Sequence, residues 1–126
     1  MTATILIVDD SATMRALVRG ALEADQHAVV EAPNGEVALA TLAGLSTGVD
    51  LVITDVIMPQ MDGLSLTRAL REDPRFVATP ILVLTTEATP AQKERGRAAG
   101  ATGWLVKPFH PDTLRRTVRQ TLTERG

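Results

Sequence analysis

The chain has 126 residues, of which 44% are hydrophobic and 22% are charged, and it contains no cysteine. This composition is typical of one globular domain, and it excludes a disordered chain, a disulfide-bonded scaffold and a cysteine metal site. The net charge of −2 does not indicate a nucleic-acid surface, and no apolar run approaches the ~20 residues of a membrane span. We expect a monomeric, cytoplasmic single domain over residues 1–126, with its core at about 4–122.

Five short segments rich in apolar and β-branched residues predict five β-strands. Most of these segments are nearly continuous runs, which is typical of strands covered on both faces in a parallel sheet. In chain order they are Thr4–Val8, Ala28–Val30, Leu51–Ile53, Ile81–Leu84 and Gly103–Val106.

A segment with helical character follows each predicted strand. In four of these segments, apolar residues recur every three or four positions, as on the buried face of a helix. The stripes are Met14-Leu17-Val18-Ala21-Leu22, Ala38-Leu39-Leu42-Leu45, Leu66-Ala69-Leu70 and Leu114-Val118-Leu122. Thr89-Pro90 and His110-Pro111 are typical helix starts, a cap residue followed by proline in the first turn. The alternation predicts right-handed βαβ units and a three-layer α/β sandwich.

The fourth helical segment, 90–99, differs from the others because it contains no Leu, Ile, Val, Met or Phe and carries Gly96. Burying a leucine-sized side chain stabilises a helix by about 1.5–3 kcal/mol, so this helix is expected to be the most loosely held. We therefore predict a mobile surface made by the fourth strand, the fourth helix and the fifth strand.

Polar residues follow the carboxyl ends of four predicted strands, where open α/β sheets bind their ligands. Asp9 and Asp10 follow the first strand, Asp55 the third, Thr85 the fourth and Lys107 the fifth. Taken singly, each is also explained as a turn former, a strand end or a solvated charge. Because these ends meet at one edge of the sheet, the five residues together predict a single site.

The chemistry of that site follows from its charges. Carboxylates at close range raise one another's pKa values unless a cation lies among them. Mg²⁺ suits such a cluster, since it prefers few protein carboxylates, several waters and a phosphate oxygen. Lys107 adds a positive charge and Thr85 a hydroxyl donor for an anionic group. The set predicts phosphoryl transfer, in which an aspartate can serve as the acceptor.

These residues resemble the receiver domain of response regulators, in its CheY-like chemotaxis class. The resemblance covers Thr4 to about Leu122, and its motifs are ILIVDDS at 5–11, Asp55 with MP and MDG at 58–63, TTE at 85–87, GA at 100–101 and KPF at 107–109. It implies a flavodoxin-like (βα)5 fold with a parallel sheet in the order 2-1-3-4-5, with two helices on one face and three on the other. One such domain fills the chain, so we expect no output domain.

The resemblance implies a role for each acidic residue. Asp55 is the phosphoryl acceptor, and its phosphoryl donor is a phosphohistidine on a partner kinase. Asp10, Asp55 and the backbone carbonyl of Ile57 bind Mg²⁺, while Asp9 acts mainly through a bound water.

The resemblance also implies a switch. Thr85 and Lys107 bind phosphoryl oxygens, and the bond between Lys107 and Pro108 is typically cis. When Thr85 moves toward the phosphoryl group, Trp104 at the aromatic switch position fills the space that Thr85 leaves. The alternative for Trp104 is a half-buried strand aromatic that packs on the fourth helix.

Two residues depart from the family pattern. Ile57 is apolar where the chemotaxis class often has a polar residue, so we predict that the phosphorylated form is not among the fastest to hydrolyse, although Glu87 keeps an acidic residue nearby. The alternative is that Ile57 only covers the edge of the core. Trp104 replaces the more familiar tyrosine and lacks its hydroxyl.

The function implied is a binding module switched by phosphorylation, which catalyses only its own phosphorylation and dephosphorylation. Its partners are a sensor or chemotaxis histidine kinase and a downstream protein such as the flagellar motor switch protein, without nucleic acid or membrane insertion. A phosphate sink and a shuttle to another output remain open. A small Mg²⁺-dependent aspartyl phosphatase is disfavoured, because Val56 and Ile57 follow Asp55 where that family has a second aspartate. A scaffold that is never phosphorylated is disfavoured by the intact acidic cluster.

Other polar and sulfur-containing residues are interpreted structurally. We expect a loop or cap role for His27 and His110, packing roles for Met14, Met58 and Met61, and a solvated face or a partner contact for Arg115, Arg116 and Arg119.

Overall fold

The computed structural model describes residues 2–87 and 89–125 as five consecutive βα units. The elements are β1 (Thr4–Val8), α1 (Ala12–Ala24), β2 (Ala28–Ala32), α2 (Gly35–Ala43), β3 (Leu51–Asp55), α3 (Gly63–Arg71), β4 (Ile81–Thr85), α4 (Pro90–Ala99), β5 (Gly103–Val106) and α5 (Pro111–Arg125). All five predicted strands are confirmed. Asp55 and Thr85, predicted to follow their strands, are instead the last residues of β3 and β4.

The five strands form one parallel sheet in the order β2-β1-β3-β4-β5, as the resemblance implied. The strand register decides which side chains meet at its carboxyl edge. Val8 pairs with Thr54, so Asp9 emerges beside the end of β3. Val106 pairs with Thr85, so the residue after β5 emerges beside the end of β4.

Two apolar cores lie on the two faces of the sheet. On one face α1 and α5 cover β-strand residues with buried Val18, Leu22, Leu114 and Val118. On the other face α2 and α3 cover the sheet, and α4 lies beside α3 and β5. The central strands are buried on both faces, which explains their continuous apolar runs.

Two residues of the predicted apolar stripes do not lie on the buried face of a helix. Leu17 is 45% exposed, because Val18, Ala21 and Leu22 direct the buried face of α1 and Leu17 lies at its margin. Leu45 lies beyond α2, which ends at Ala43, and it only partly packs against the core.

The predicted starts of α4 and α5 are confirmed by hydrogen bonds. The Thr89 side chain caps α4 by accepting a hydrogen bond from the Gln92 N–H, with Pro90 in the first turn. His110 Nδ1 accepts a hydrogen bond from the Asp112 N–H at 3.0 Å, which gives His110 the expected cap role. Both side chains satisfy N–H groups that a helix start leaves without partners.

Only Gly96 and Ala99 are buried in α4, and its bounds match the predicted segment. Its carboxyl end is better anchored than its composition suggests, because Arg71 Nε donates to the Gly100 carbonyl at 2.9 Å. The same guanidinium donates to the carbonyls of Phe76 and Thr79, and burial lowers the pKa of Arg71. The loop after α4 is therefore attached to the end of α3.

The arginines of α5 are not simply a solvated face. Arg115 Nη2 lies 2.7 Å from Asp25 Oδ1, and Arg119 Nε lies 3.4 Å from the other oxygen of Asp25. These bonds connect α5 to the turn after α1, and the bonds to Arg115 lower the pKa of Asp25. The sequence interpretation missed this pairing.

His27 lies in the loop between α1 and β2, as expected, and its side chain is buried. Its Nδ1 accepts a hydrogen bond from the Ala3 N–H at 3.0 Å, and its Nε2 is buried with no hydrogen-bond partner among the described residues. Burial lowers the pKa of His27, so the neutral form is favoured there. Among the helices in the described part of the chain, none combines the length and apolar character needed to cross a membrane.

Candidate functional site: an acidic pocket at the carboxyl edge of the sheet

Asp9 has both a structural and a potential binding role. Its Oδ1 accepts a hydrogen bond from the Ser11 N–H at 2.9 Å, while the Ser11 side chain caps α1 by accepting from Met14. The turn-former interpretation is therefore right for one oxygen of Asp9. The other oxygen, Oδ2, is buried and without a hydrogen bond in the described part of the chain.

Three carboxylates converge as predicted. Asp9, Asp10 and Asp55 each offer one oxygen, and these oxygens lie within 4.8 Å of one another. Asp9 is 1% exposed, Asp10 is exposed, and Asp55 lies between them in exposure. The cluster is therefore buried at Asp9 and open to solvent at Asp10. This arrangement suits a cation with several bound waters.

Lys107 supplies the positive charge of the pocket. Its Nζ lies 3.2 Å from Asp55 Oδ1 and 3.5 Å from Asp9 Oδ2, where the contact is an ion pair too long for a good hydrogen bond. The Lys107 N–H donates to the Thr85 carbonyl at 2.7 Å, and the bond from Lys107 to Pro108 is cis, as the resemblance implied. The backbone thus holds this ammonium at the carboxyl edge.

Burial raises the pKa of Asp9, against the opposing effects of its Ser11 hydrogen bond and the Lys107 charge. One ammonium faces three carboxylates, so the pocket retains an excess of negative charge. A buried carboxylate oxygen without a hydrogen bond is costly. The donor set and this unsatisfied oxygen both fit a divalent cation bound by oxygen ligands.

The Thr85 hydroxyl forms its hydrogen bonds with the loop after β4 and not with the acidic cluster. Thr85 Oγ1 donates to the Glu87 carbonyl and accepts from the Glu87 N–H, both at 3.0 Å. The strand end brings Thr85 to the same edge as Asp55, but the hydroxyl bonds within the loop after β4. A move of Thr85 toward Asp55 must break these local bonds.

Trp104 is half-buried on β5, and a small cavity lies between it, Thr85 and Gly96. The Nζ of Lys93 lies 5.1 Å from the centre of the Trp104 ring, within the range of a cation–π contact with α4. Packing on the fourth helix is therefore correct for this conformation. The cavity has a volume of only about 20 Å³, so the ring could move toward Thr85 only if Thr85 itself moved away.

Ile57 lies on the rim of the pocket. Its residue exposure is 76%, so the alternative that it covers the edge of the core is wrong. Together with Glu87 and Arg95 it lines an open groove that runs from the loop after β3 to α4.

The loop after β3 requires glycine at position 63. A Cβ on Gly63 would lie 2.0 Å from the Asp55 carbonyl oxygen, and the Gly63 N–H donates to the Val56 carbonyl at 2.8 Å. This close approach lets the start of α3 pack directly behind Asp55. Gly63 belongs to the MDG motif at 61–63, but the motif alone does not predict this close approach.

Arg15 is another residue near the site that the sequence analysis missed. Its Nη1 donates to the backbone carbonyl of Asp9 at 2.6 Å, and its Nε donates to Glu31 at 3.0 Å. No feature of the apolar stripe in α1 predicts these contacts, because they depend on how α1 lies against the edge strand.

The response regulator receiver domain family matches residues 5–119. The chain belongs to this family. Chemotaxis protein CheY1 of Helicobacter pylori is 36% identical over 119 residues, which are 94% of this chain and 95% of CheY1. The solved structure of Vibrio cholerae chemotaxis protein CheY4 is 42% identical, with a TM-score of 0.90, and the match covers 96% of this chain and 99% of that one.

A longer relative shows that receiver domains of this kind occur in different contexts. The transcriptional regulatory protein ResD of Bacillus subtilis is 42% identical over 107 residues, and this chain spans only 42% of its length. Receiver domains are signalling proteins rather than metabolic enzymes, and CheY-like members accept phosphate from histidine kinases. Receiver domains bind Mg²⁺ at an acidic pocket, and the aspartate cluster of this chain could hold such an ion.

Proposed function

We propose that the chain is a phosphorylation-switched receiver in which Asp55 accepts a phosphoryl group from a histidine kinase. A carboxylate oxygen of Asp55 attacks the phosphorus, the P–N bond of the phosphohistidine breaks, and the imidazole leaves with the electron pair. The observation that carries the proposal is the approach of three carboxylate oxygens to within 4.8 Å, with the Lys107 ammonium 3.2 Å from Asp55. Such a reaction requires positioning and charge neutralisation more than proton transfer.

The proposal includes a Mg²⁺ ion held by Asp10, Asp55 and the carbonyl of Ile57, with Asp9 acting through a bound water. When bound, the ion neutralises the negative charge on phosphoryl oxygens. The unsatisfied Oδ2 of Asp9 supports this assignment, because a water on the ion would give that buried oxygen a partner.

Lys107 and Thr85 are proposed to bind the phosphoryl group after it is transferred. The Lys107 ammonium already lies beside the acceptor oxygen, so it needs only a small shift to contact a phosphoryl oxygen. Thr85 would exchange its hydrogen bonds with Glu87 for a bond to the new anion. The Trp104 ring would then move into the space that Thr85 leaves and change the surface formed by β4, α4 and β5.

We propose chemotaxis signalling as the pathway, with the flagellar motor switch protein as the downstream partner. The similarity to CheY1 and CheY4 over nearly their whole lengths supports this output. A phosphate sink for the same kinase, or a shuttle to another output, is the second candidate, since ResD carries a related domain in a transcriptional regulator. We also propose that the chain is a monomeric single domain over 1–126. It would act in the cytoplasm, where its kinase has ATP.

Phosphotransfer from a chemotaxis kinase tests the function. The wild-type chain should acquire an acid-stable but base-labile phosphoryl group in the presence of Mg²⁺, and Asp55→Asn should acquire none. Capture of the motor switch protein by the phosphorylated form only would support the chemotaxis output. Phosphorylation without capture would favour the sink or shuttle, whereas equal labelling of Asp55→Asn would contradict the proposal.

A further inference from the structure

Arg15 connects the acidic pocket to the edge of the sheet. Its side chain is 18% exposed, and its guanidinium bridges the backbone carbonyl of Asp9 and the carboxylate of Glu31 on β2. Glu31 also pairs with Arg19, one turn further along α1, and bonds to Arg19 and Arg15 lower the pKa of Glu31. The Arg15 guanidinium is thus bonded to Glu31 as well as to the Asp9 carbonyl.

The carbonyl that Arg15 binds belongs to the peptide bond between Asp9 and Asp10, two members of the acidic cluster. The N–H of Asp9 donates to the carbonyl of Ala32 on β2 at 3.2 Å. The edge strand therefore fixes the Asp9 backbone at its N–H directly and at its carbonyl through Arg15. Rotation of this peptide would move both carboxylates.

We propose that Arg15 is a positioning residue that orients Asp9 and Asp10 for divalent cation binding. The inference rests on the proposed Mg²⁺ site. The guanidinium bonds to a backbone carbonyl and to Glu31, so it orients the site without occupying the carboxylate oxygens that would face the ion. Lys107 differs from Arg15 in this respect, since its ammonium contacts those oxygens themselves.

Orientation and charge predict opposite effects of removing Arg15. If Arg15 acted only through its positive charge, its removal would lower the repulsion of Mg²⁺ and tighten binding. If Arg15 orients the ligands, its removal lets the Asp9–Asp10 peptide rotate and weakens binding. Groups that orient metal ligands typically change metal affinity by about 10–100-fold when they are replaced. The direction of the change in affinity therefore separates the two roles.

Arg15→Met tests the inference, with Arg19→Met as the matched control. Methionine keeps the apolar stem of arginine in both variants, and Arg19 shares the Glu31 partner but lies on the exposed side of that pair. Mg²⁺ titration, followed by calorimetry and by the fluorescence of the single tryptophan, should give a dissociation constant about tenfold higher for Arg15→Met. The constant for Arg19→Met should stay within about twofold of wild type.

Phosphorylation kinetics with acetyl phosphate separate positioning from loss of fold. In Arg15→Met the Mg²⁺ concentration for half-maximal rate should rise about tenfold, while the rate at saturating Mg²⁺ stays within about threefold of wild type. Urea unfolding without Mg²⁺ should show that the variant remains folded. If it does not fold, Arg15→Lys replaces it, because lysine keeps the charge but a single ammonium cannot hold both partners; binding about threefold weaker is then expected.

Unchanged or tighter Mg²⁺ binding by Arg15→Met, or by Arg15→Lys where it replaces that variant, overturns the positioning role. Equal weakening in Arg19→Met overturns it as well, since the effect would then act through Glu31 rather than the Asp9 carbonyl. A wild-type chain that binds no Mg²⁺ would instead overturn the proposed function.

Discussion

The helices α1 and α4 are held in different ways. α1 buries Val18, Ala21 and Leu22 and is bonded to the end of β1 through Arg15. α4 buries only a glycine and an alanine. The half of the pocket that contains Asp9 and Asp10 therefore rests on a well-packed helix, and the half that contains Thr85 adjoins a weakly packed one. The comparison suggests that ligand positions stay fixed while the output surface moves.

The ends of α4 also differ from each other. Arg71 holds the loop at its carboxyl end by bonding to Gly100, whereas its first turn follows the loop in which Thr85 bonds to Glu87. A change in the Thr85 bonds thus occurs next to the first turn of the helix. We expect α4 to move mainly at its first turn, about an attachment at Gly100.

The largest expected effect is a loss of stability when the packing of α1 is reduced. Leu22→Ala removes a fully buried side chain of α1 and should lower the free energy of unfolding by about 3 kcal/mol, within the usual range for buried leucines. Ala99→Gly in α4 should cost only about 1 kcal/mol, mostly through helix propensity. Urea unfolding measures both, and equal losses would remove the difference between the helices.

Hydrogen exchange sharpens the same comparison without a substitution. Amides of 90–99 should exchange at least about 100-fold faster than those of 14–22, because α4 opens without exposing large apolar side chains. Slower exchange in 90–99 would contradict the mobile output surface.

Gly96→Ala tests whether the weak packing of α4 serves the switch. Among the described residues, a Cβ at Gly96 meets no atom within 4 Å apart from its chain neighbours and the backbone of its own helix, so the substitution should raise the free energy of unfolding by up to about 1 kcal/mol. Because Gly96 borders the cavity beside Trp104, the variant should also show a smaller change in tryptophan fluorescence on phosphorylation. A stabilised variant with an undiminished fluorescence change would show that the switch does not need the weak packing of α4.

Ile57→Asn tests the rim of the pocket. An amide in place of the exposed isoleucine can orient an attacking water, so loss of the phosphoryl group should become about three- to tenfold faster. Ile57→Leu is the matched control and should leave the rate unchanged. Timing phosphate release from the phosphorylated chains decides the question, and an unchanged rate for Ile57→Asn defeats the prediction.

The smallest expected effect is the pH dependence of stability that His27 causes. Burial lowers the pKa of His27 from its usual 6.5, while the Asp25 charge opposes this change. The unfolded chain therefore binds more protons below about pH 6.5, and stability should fall as the pH decreases from there through the folded pKa. His27→Gln should flatten this slope in urea unfolding between pH 7.5 and 5.5, two values chosen about one unit either side of the usual pKa. An unchanged slope would show that His27 is not its source.

Patterns along the chain predicted most of the fold. Continuous apolar runs identified the strands, and Thr89-Pro90 identified the start of a helix that has no apolar stripe. The acidic cluster was predicted because parallel strands bring Asp9 and Asp55 to one edge. These features depend on local periodicity and on the direction of the strands. Periodicity can be read from the sequence, and the alternation of strands and helices predicts that the strands are parallel.

Contacts made by long side chains could not be predicted in this way. The pairing of Asp25 with Arg115 joins residues far apart in the chain, and periodicity carries no information about it. The bond from Arg15 to the Asp9 carbonyl depends on the conformation of a long side chain. The bonds of Thr85 within its loop likewise depend on a side-chain rotamer rather than on residue type.

Hydrogen exchange of the chain with Mg²⁺, before and after addition of beryllium fluoride as an acyl phosphate analogue, tests the central claim most directly. We predict altered exchange in 85–104 and unchanged exchange in α1 for the wild-type chain, with no response in Asp55→Asn. No response of the wild-type chain, or the same response in Asp55→Asn, would contradict a switch that begins at Asp55 and ends at the α4 surface.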